Sequence, residues 1–318
     1  MMELLVTRVR LIAEDIRLFE LTRPDGGPLP AFTAGAHIDV RVADGLVRQY
    51  SLCNSPEERH RYVIAVLRDP ASRGGSIAMH DRVQEGDRLE VGEPRNLFPL
   101  NETAGKTLLF AGGIGITPIL CMAERLVTLG RPFDLHYAAR TRNRMAFRER
   151  FIAPPFAGRS WLWFDDAPAT ERLDARRILA DPAADAHLYV CGPAPFIAHI
   201  LETATAQGWA EERLHREYFG AAPAPAVSQD GAFEVEIAST GAVYRVGPEE
   251  RVIDVLAGQG IEIPVSCEQG VCGTCVTPVL SGIPDHRDLF LTEAERAAND
   301  RFTPCCSRAR SGRLVLDL

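Results

Sequence analysis

A chain of 318 residues that is 46% hydrophobic and 25% charged, with a net charge of −8, is neither disordered, collagen-like nor a disulfide miniprotein, and its length allows roughly two domains at about 150 residues each. No run reaches the roughly 18 uninterrupted apolar residues of a membrane span, because the most apolar window, Thr107 to Ala123, is broken by Gly112, Gly113, Gly115 and Pro118. The acidic balance argues against binding nucleic acid, which needs a basic footprint, and an N-terminus carrying Glu3, Arg8 and Arg10 is no signal peptide, which leaves the cytoplasm as the expected compartment.

Through the first hundred residues, short runs alternate apolar and polar side chains: Ile16 to Thr22, His37 to Val42, Val47 to Cys53, Tyr62 to Arg68 and Arg88 to Val91. Turns such as Pro24-Asp25-Gly26-Gly27 and Glu85-Gly86-Asp87 separate them, which predicts a small antiparallel β-barrel. On the third run, Arg48-Gln49-Tyr50-Ser51 sets a cation and an aromatic ring on one face, suited to a planar ring beside a phosphate. Arg73-Gly74-Gly75-Ser76 later adds a cation and exposed amides. Surface arginines around a core tyrosine would give the same pattern.

The pattern changes near residue 105. Strand-like runs at Thr107–Ala111, Phe133–Ala139, Trp161–Phe164 and Ala186–Cys191 alternate with helical stretches at Thr117–Leu129, Ala169–Ala180 and Pro195–Gln207, which predicts a doubly wound parallel sheet. After its first strand comes Gly112-Gly113-Ile114-Gly115-Ile116-Thr117-Pro118. Glycines at a strand-to-helix turn admit a pyrophosphate close to backbone amides at the positive end of the helix dipole, and Pro118 suits a first helical turn. The pattern departs from the G-x-G-x-x-G fingerprint, since Pro118 stands at its last position and no acidic residue sits just past the second strand. Gly105-Lys106-Thr107 is not a P-loop: Leu100 stands where its first glycine belongs, and a strand follows instead of a helix. Cys191-Gly192-Pro193 ends the fourth strand and should face the same crevice as the Gly112 turn.

Ala221-Ala222-Pro223-Ala224-Pro225-Ala226 has linker composition, raising the expected count to three domains: 1–103, 104–222 and 223–318. Beyond the linker the chain reads as strands from Ala232 to Ala238 and Val243 to Val246, a helix near Arg251 to Ala257, a cysteine loop, and a last strand Leu314 to Leu318. Five of the eight cysteines lie in the last 52 residues. Cys267-Glu268-Gln269-Gly270-Val271-Cys272-Gly273-Thr274-Cys275 has the spacing C-x4-C-x2-C, and Cys305 follows after 29 intervening residues. Three thiolates on one tight loop and a fourth from elsewhere fit the plant-type [2Fe–2S] pattern, and Gly270 and Gly273 let the loop amides turn toward sulfur. Structural zinc is the competing reading, but zinc sites usually pair two C-x2-C knuckles and the second is missing. Spacing alone leaves Cys305 and Cys306 both open as the fourth ligand, and the plant-type interval selects Cys305. Cys53, Cys121, Cys191 and Cys306 are then expected to be buried bystanders.

In this order, Arg48 to Asn54, Arg73 to Ser76, Gly112 to Pro118, Cys191 to Pro193, Glu217-Tyr218-Phe219-Gly220, the cysteine loop and Asp285-His286-Arg287-Asp288 resemble the phthalate dioxygenase reductase family, within the ferredoxin–NADP reductase superfamily. The resemblance spans essentially the whole chain. It implies a multidomain protein: an antiparallel β-barrel FMN domain, an α/β NADH domain and an α+β (β-grasp) ferredoxin-like [2Fe–2S] domain. By that resemblance Arg48, Gln49, Tyr50 and Ser51 hold the flavin ring and ribityl chain, and Arg73, Gly74, Gly75 and Ser76 bind its phosphate. Gly112, Gly113, Gly115 and Thr117, with Cys191, Gly192 and Pro193, position the nicotinamide nucleotide. Phe219 lies against the isoalloxazine, and Cys267, Cys272, Cys275 and Cys305 hold the cluster.

The implied chemistry is electron counting. NADH gives two electrons as one hydride, a [2Fe–2S] cluster accepts one at a time, and a flavin between them does both. No side-chain acid, base or nucleophile need act. The implied partner is a Rieske-type terminal oxygenase that demethylates or hydroxylates an aromatic acid, served by a monomeric reductase. Delivery to a carnitine-type oxygenase or a haem monooxygenase, or a redox-sensing protein without turnover, are the alternatives. Arg140, Arg142 and Arg144 follow the second strand of the nucleotide domain, where an arginine could meet the 2′-phosphate of NADPH; the family resemblance favours NADH.

Overall fold

The alternating runs of the first hundred residues pair into one antiparallel sheet in the computed structural model, which describes residues 1–43, 46–70, 74–220, 231–265 and 267–318. Its strands are β1 (Met2–Ala13), β2 (Ile16–Thr22), β3 (His37–Ala43), β4 (Leu46–Ser51), β5 (Tyr62–Leu67) and, after helix α1 (Gly75–Arg82), β6 (Arg88–Val91). The order is β4-β3-β6-β1-β2-β5. A bridge between Leu52 and Ile64 and the bond from Cys53 N–H to the Val63 carbonyl, 2.9 Å, join the two ends and close the barrel. Closure leaves no sheet edge to be capped. Strand β1 escaped the sequence reading because two register shifts, between Val6 and Arg8 and between Leu11 and Ala13, interrupt its alternation.

The second sheet alternates with helices as the sequence predicts: β7 (Lys106–Gly112), α2 (Ile116–Thr128), β8 (Phe133–Ala139), α3 (Arg148–Phe151), β9 (Ser160–Phe164), α4 (Ala175–Ile178), β10 (Ala186–Cys191), α5 (Ala194–Ala206) and β11 (Leu214–Glu217). All its pairs are parallel, in the order β11-β10-β7-β8-β9. The helix expected over Ala169–Ala180 is instead a 3₁₀ turn at Ala169–Glu171 and the short α4. Asp174 accepts from the Arg177 N–H and starts the chain afresh as an N-cap. Helix α2 buries Ile116, Ile119, Leu120, Met122, Ala123 and Leu126, and they share one hydrophobic core with barrel residues such as Leu52, Ile64 and Phe98. Barrel and parallel sheet thus lie in a single compact unit, Met1–Glu217.

The second unit, Tyr218–Leu318, contains β12 (Phe233–Ile237), β13 (Ala242–Val246), α6 (Val252–Ala257), β14 (Thr277–Ser281), β15 (Pro284–Asp285), α7 (Glu293–Ala298), β16 (Arg301–Phe302), β17 (Arg308–Ala309) and β18 (Arg313–Leu316). Its main sheet has the order β13-β12-β18-β14-β16, with β12 and β18 parallel at the centre and the other pairs antiparallel. Val235, Val246, Leu256, Phe302, Leu314 and Leu316 form the core beneath it. This is the α+β arrangement that was expected. The proline-rich linker lies within 221–230, outside the described residues. Among the described residues no helix is long and apolar enough to cross a membrane.

Candidate functional site

Strand order reverses at β7, whose neighbours are β8 on one side and β10 on the other. In an open parallel sheet that reversal opens a crevice beyond the carboxyl ends of the strands. The two predicted turns both fall there, Gly112 ending β7 and Cys191 ending β10. They are in tight contact: a Cβ on Gly115 would sit 2.3 Å from the Cys191 carbonyl oxygen, and one on Gly192 would sit 2.9 Å from Gly112 Cα. A Cβ on Gly112 would meet the Phe196 ring at 2.9 Å and Pro193 Cδ at 3.0 Å. Glycine is required here for space between two backbones, which brings both turns to one crevice lip. Gly113 has φ 54 at the head of the 3₁₀ turn entering α2, and the Thr117 hydroxyl donates to the Ile114 carbonyl at 3.1 Å, stiffening that turn.

In the barrel, the strand period sends Arg48 and Tyr50 to one face of β4 and Gln49 and Ser51 to the other. Arg48 crosses the start of α1, where a Cβ on Gly75 would lie 2.4 Å from its Cγ. Helix α1 begins there with no side-chain cap and no acidic residue in its first turn, leaving amides and the positive dipole end for an anion. The Ser76 hydroxyl accepts the Asp69 N–H at 3.1 Å. Tyr50 has a buried hydroxyl with no hydrogen-bond partner among the described residues, and burial pushes its phenol above the ordinary range. A buried donor left over on the strand face it shares with Arg48, which crosses an uncapped helix start, fits a polar, phosphate-bearing ring ligand such as FMN. Gln49 Nε2 lies 3.1 Å from His37 Nε2. Arg73 falls outside the described residues.

One residue joins these two places. Glu217 ends β11 directly beside Cys191, and the Ser51 hydroxyl donates to its carboxylate at 3.4 Å. Strand β4, the turn at Cys191 and the last strand of the parallel sheet therefore converge on one carboxyl group. Burial pushes that group up to about 8, against the smaller opposing effect of the Ser51 hydrogen bond, so it is mostly protonated at neutral pH. The sequence reading quoted the motif containing Glu217 but gave it no role. Its signal was available in the motif, whereas its neighbours come from the pairing of β11 with β10 and from a side-chain contact 166 residues away in the chain. Cys191 is fully buried, and desolvation drives its thiol well above the usual range; Cys53 and Cys121 are likewise buried.

In the second unit the four predicted thiols come together. Cys267 lies against both Cys272 and Cys305, and Cys275 against Cys305, near enough for each thiol to perturb the next. The coupling holds Cys267 low, through hydrogen bonds from its neighbours, and drives Cys305 high. Backbone amides turn toward sulfur, the Gln269 N–H donating to Cys267 Sγ at 3.4 Å. Gly270 and Gly273 have φ 69 and 68, and a Cβ on Gly273 would strike the Phe290 ring at 2.3 Å. Both backbone angle and space exclude a side chain there. Cys306 also touches Cys305, but its thiol turns to the Thr303 hydroxyl, 3.3 Å away. A converging thiol set with inward amides is the donor chemistry of an iron–sulfur cluster. Phe219 belongs to this second unit and is exposed.

Of the three arginines after β8, Arg144 pairs with Glu14 and Asp15 at 2.8 and 3.1 Å, and Arg142 lies over the Phe164 ring at 5.4 Å. Arg140 is exposed at the strand end.

Residues 235–310 match the family model of the 2Fe-2S iron-sulfur cluster binding domain. Over its full 318 residues the chain is 55% identical to a vanillate O-demethylase oxidoreductase of Pseudomonas sp., covering 100% of both. The solved structure titled phthalate dioxygenase reductase, "a modular structure for electron transfer from pyridine nucleotides to [2Fe-2S]", is 38% identical with a TM-score of 0.75, over 100% of this chain and 98% of that one. An intact type IV self-sufficient cytochrome P450 monooxygenase is 38% identical with a TM-score of 0.87; the match covers 99% of this chain and 41% of that one. With such identity along its whole length, the chain belongs to the phthalate dioxygenase reductase family, alongside the vanillate O-demethylase oxidoreductases.

Proposed function

We propose that this chain is the reductase component of a Rieske-type aromatic O-demethylase, taking electrons from NADH through FMN and a [2Fe–2S] cluster to a terminal oxygenase. The observation that carries this is the end-to-end match to a vanillate O-demethylase oxidoreductase, in a chain that holds a switch-point crevice, an anion-ready barrel strand and four converging thiols. We assign three modules, 1–103, 104–222 and 223–318, to flavin, nucleotide and cluster, and expect a cytoplasmic monomer.

When bound, the flavin supplies the exchange between a two-electron hydride donor and one-electron carriers. The residues of the chain bind and orient. Arg48, Gly74, Gly75 and Ser76 hold the phosphate at the start of α1, with Arg73 assigned to the same role, while Gln49, Tyr50 and Ser51 line the ring and ribityl chain. Gly112, Gly113, Gly115, Thr117, Cys191, Gly192 and Pro193 seat the nucleotide, and Phe219 covers the flavin ring. Cys267, Cys272, Cys275 and Cys305 ligate the cluster. Catalysis is placement of donor against acceptor. The ion pairs of Arg144 with Glu14 and Asp15 and the stacking of Arg142 engage two of the three arginines that could meet a 2′-phosphate, which supports NADH.

Purified holoprotein should reduce cytochrome c with NADH and support NADH-dependent demethylation of vanillate when mixed with a vanillate O-demethylase oxygenase. Cytochrome c reduction without any demethylation would reject the assigned partner. A second reading, delivery to a haem monooxygenase, draws on the P450 whose sequence contains a similar segment; NADH-driven turnover of a P450 but not of the Rieske oxygenase would select it.

A further inference from the structure

The motif Asp285-His286-Arg287-Asp288 has no part in the electron path described so far, yet it touches both pieces of chain that supply cluster thiols. Toward the fourth thiol, the Arg287 N–H donates to Ser307 Oγ at 3.1 Å, and Ser307 shares a 2.8 Å hydrogen bond with Thr303 Oγ1. Those two residues bound the turn that carries Cys305. Pro284 and Asp285 pair with Ala309 and Arg308 in the β15–β17 ladder just beyond it, and the Asp285 carboxylate accepts from Arg287 at 2.8 Å and Arg310 at 3.2 Å. Toward the other three thiols, the Leu289 N–H donates to the Gly270 carbonyl at 2.9 Å, midway along the cysteine loop. A Cβ on Gly270 would lie 2.9 Å from Asp288 Cα, so loop and segment are in direct contact.

Asp288 sits at the junction with its side chain fully buried. One carboxylate oxygen accepts the Leu291 N–H at 2.7 Å, and Arg296 lies 3.8 Å from the same oxygen while donating to the Asp288 carbonyl. The other oxygen has no hydrogen-bond partner among the described residues, nor do either ring nitrogen of His286 or Nε of Arg296. His286 Nδ1 is 3.7 Å from that oxygen. A buried charge so thinly satisfied costs folding stability compared with an apolar side chain, and a role beyond the fold accounts for its presence.

We propose that Asp285–Asp288 is the brace that holds the Cys305 turn in register with the 267–275 loop, and that Asp288 is a positioning residue whose buried negative charge also lowers the cluster's reduction potential. Partners beyond the ligands orient them and fix how tightly metal is held, and net charge and hydrogen bonding around the sulfurs set the potential. The inference rests on the cluster reading above.

The test uses the full-length holoprotein, with iron release to a chelator, midpoint potential followed by the visible and EPR signals, and NADH–ferricyanide activity through the flavin as internal control. Asp288→Ala is expected to release iron about ten-fold faster or more with ferricyanide activity within two-fold of wild type. Asp288→Asn still accepts the Leu291 N–H, and is expected to restore slow release while its potential rises. Iron release and potential unchanged in both variants would overturn the proposal. If the alanine variant does not fold, Asp288→Asn and Ser307→Ala decide: an unshifted potential in the first together with wild-type iron release in the second overturns it. Wild-type protein without a [2Fe–2S] spectrum would overturn the cluster reading instead.

Discussion

Glu217 should make the first unit lose stability as pH rises through the neutral range. Desolvation displaces its carboxyl from an ordinary 4.5 to about 8, so between those values the folded chain binds a proton that the unfolded chain has released. Stability therefore falls with increasing pH across that window and levels off above it. A shift of this size corresponds to about 5 kcal/mol at the limit and about 3 kcal/mol between pH 5 and pH 8. Glu217→Gln keeps the shape and removes the titration, so the variant should gain about 3 kcal/mol on wild type over that interval, whatever constant offset the lost Ser51 contact adds. All three tryptophans, Trp161, Trp163 and Trp209, lie in this unit, and their fluorescence in a denaturant titration at each pH reports on it alone. The difference between variant and wild type cancels groups common to both. Parallel stability curves from pH 5 to pH 8 would refute the reasoning and mean that water reaches the carboxylate.

Gly115→Ala should raise KM for NADH about ten-fold or more, since the added methyl would stand 2.3 Å from the Cys191 carbonyl and must part the two strand ends; steady-state kinetics check this, and an unchanged KM would remove the crevice from the nucleotide site. Cys272→Ser should abolish cytochrome c reduction while leaving NADH–ferricyanide activity through the flavin within two-fold, and equal loss of both would contradict the order of carriers. The ratio of kcat/KM should favour NADH over NADPH by about ten-fold or more, and Arg140→Ala should leave that preference in place. Residues 223–318 carry 14 acidic and 8 basic side chains, hence −6 of the total −8, so electron delivery to the oxygenase should slow several-fold between low and moderate ionic strength; a salt-insensitive rate would refute electrostatic steering.

Much of the fold was legible because the first unit is built from elements whose burial follows one period each. Phe133–Ala139 and Ala186–Cys191 were located to the residue, being predominantly apolar runs in the interior of a parallel sheet. The elements that escaped are those whose sequence answers to something other than a simple period. Bulges interrupt β1, and β11 is an edge strand whose four residues are all only half-buried. Helix α1 opens on Gly75, where a Cβ would strike Arg48 Cγ at 2.4 Å, and it lacks a side-chain cap. Strand β14 begins two residues after Cys275 and carries Pro278, so ligand spacing and strand pairing share one short stretch.

The candidate site divides along the same line. Chemistry confined to one turn was readable: the glycine turn at Gly112, the start of α1 and the three-cysteine loop each announce themselves over fewer than ten residues. Chemistry assembled across the chain was not. The Ser51–Glu217 contact needs a barrel strand and the last strand of the parallel sheet to be placed first, and the convergence of Arg287 on Ser307 and of Leu289 on Gly270 needs the second unit to be folded. The glycines supply the link between the two kinds of information. Gly115 and Gly270 were read as turn formers, but in each case the atoms a Cβ would strike belong to other segments, the Cys191 carbonyl in one and Cys306 Sγ and Asp288 Cα in the other. A glycine in a tight turn thus marks where a second piece of chain presses against it, and in this protein those contact points are where the Gly112 turn meets the Cys191 turn and where the cysteine loop meets the 285–288 segment and Cys306.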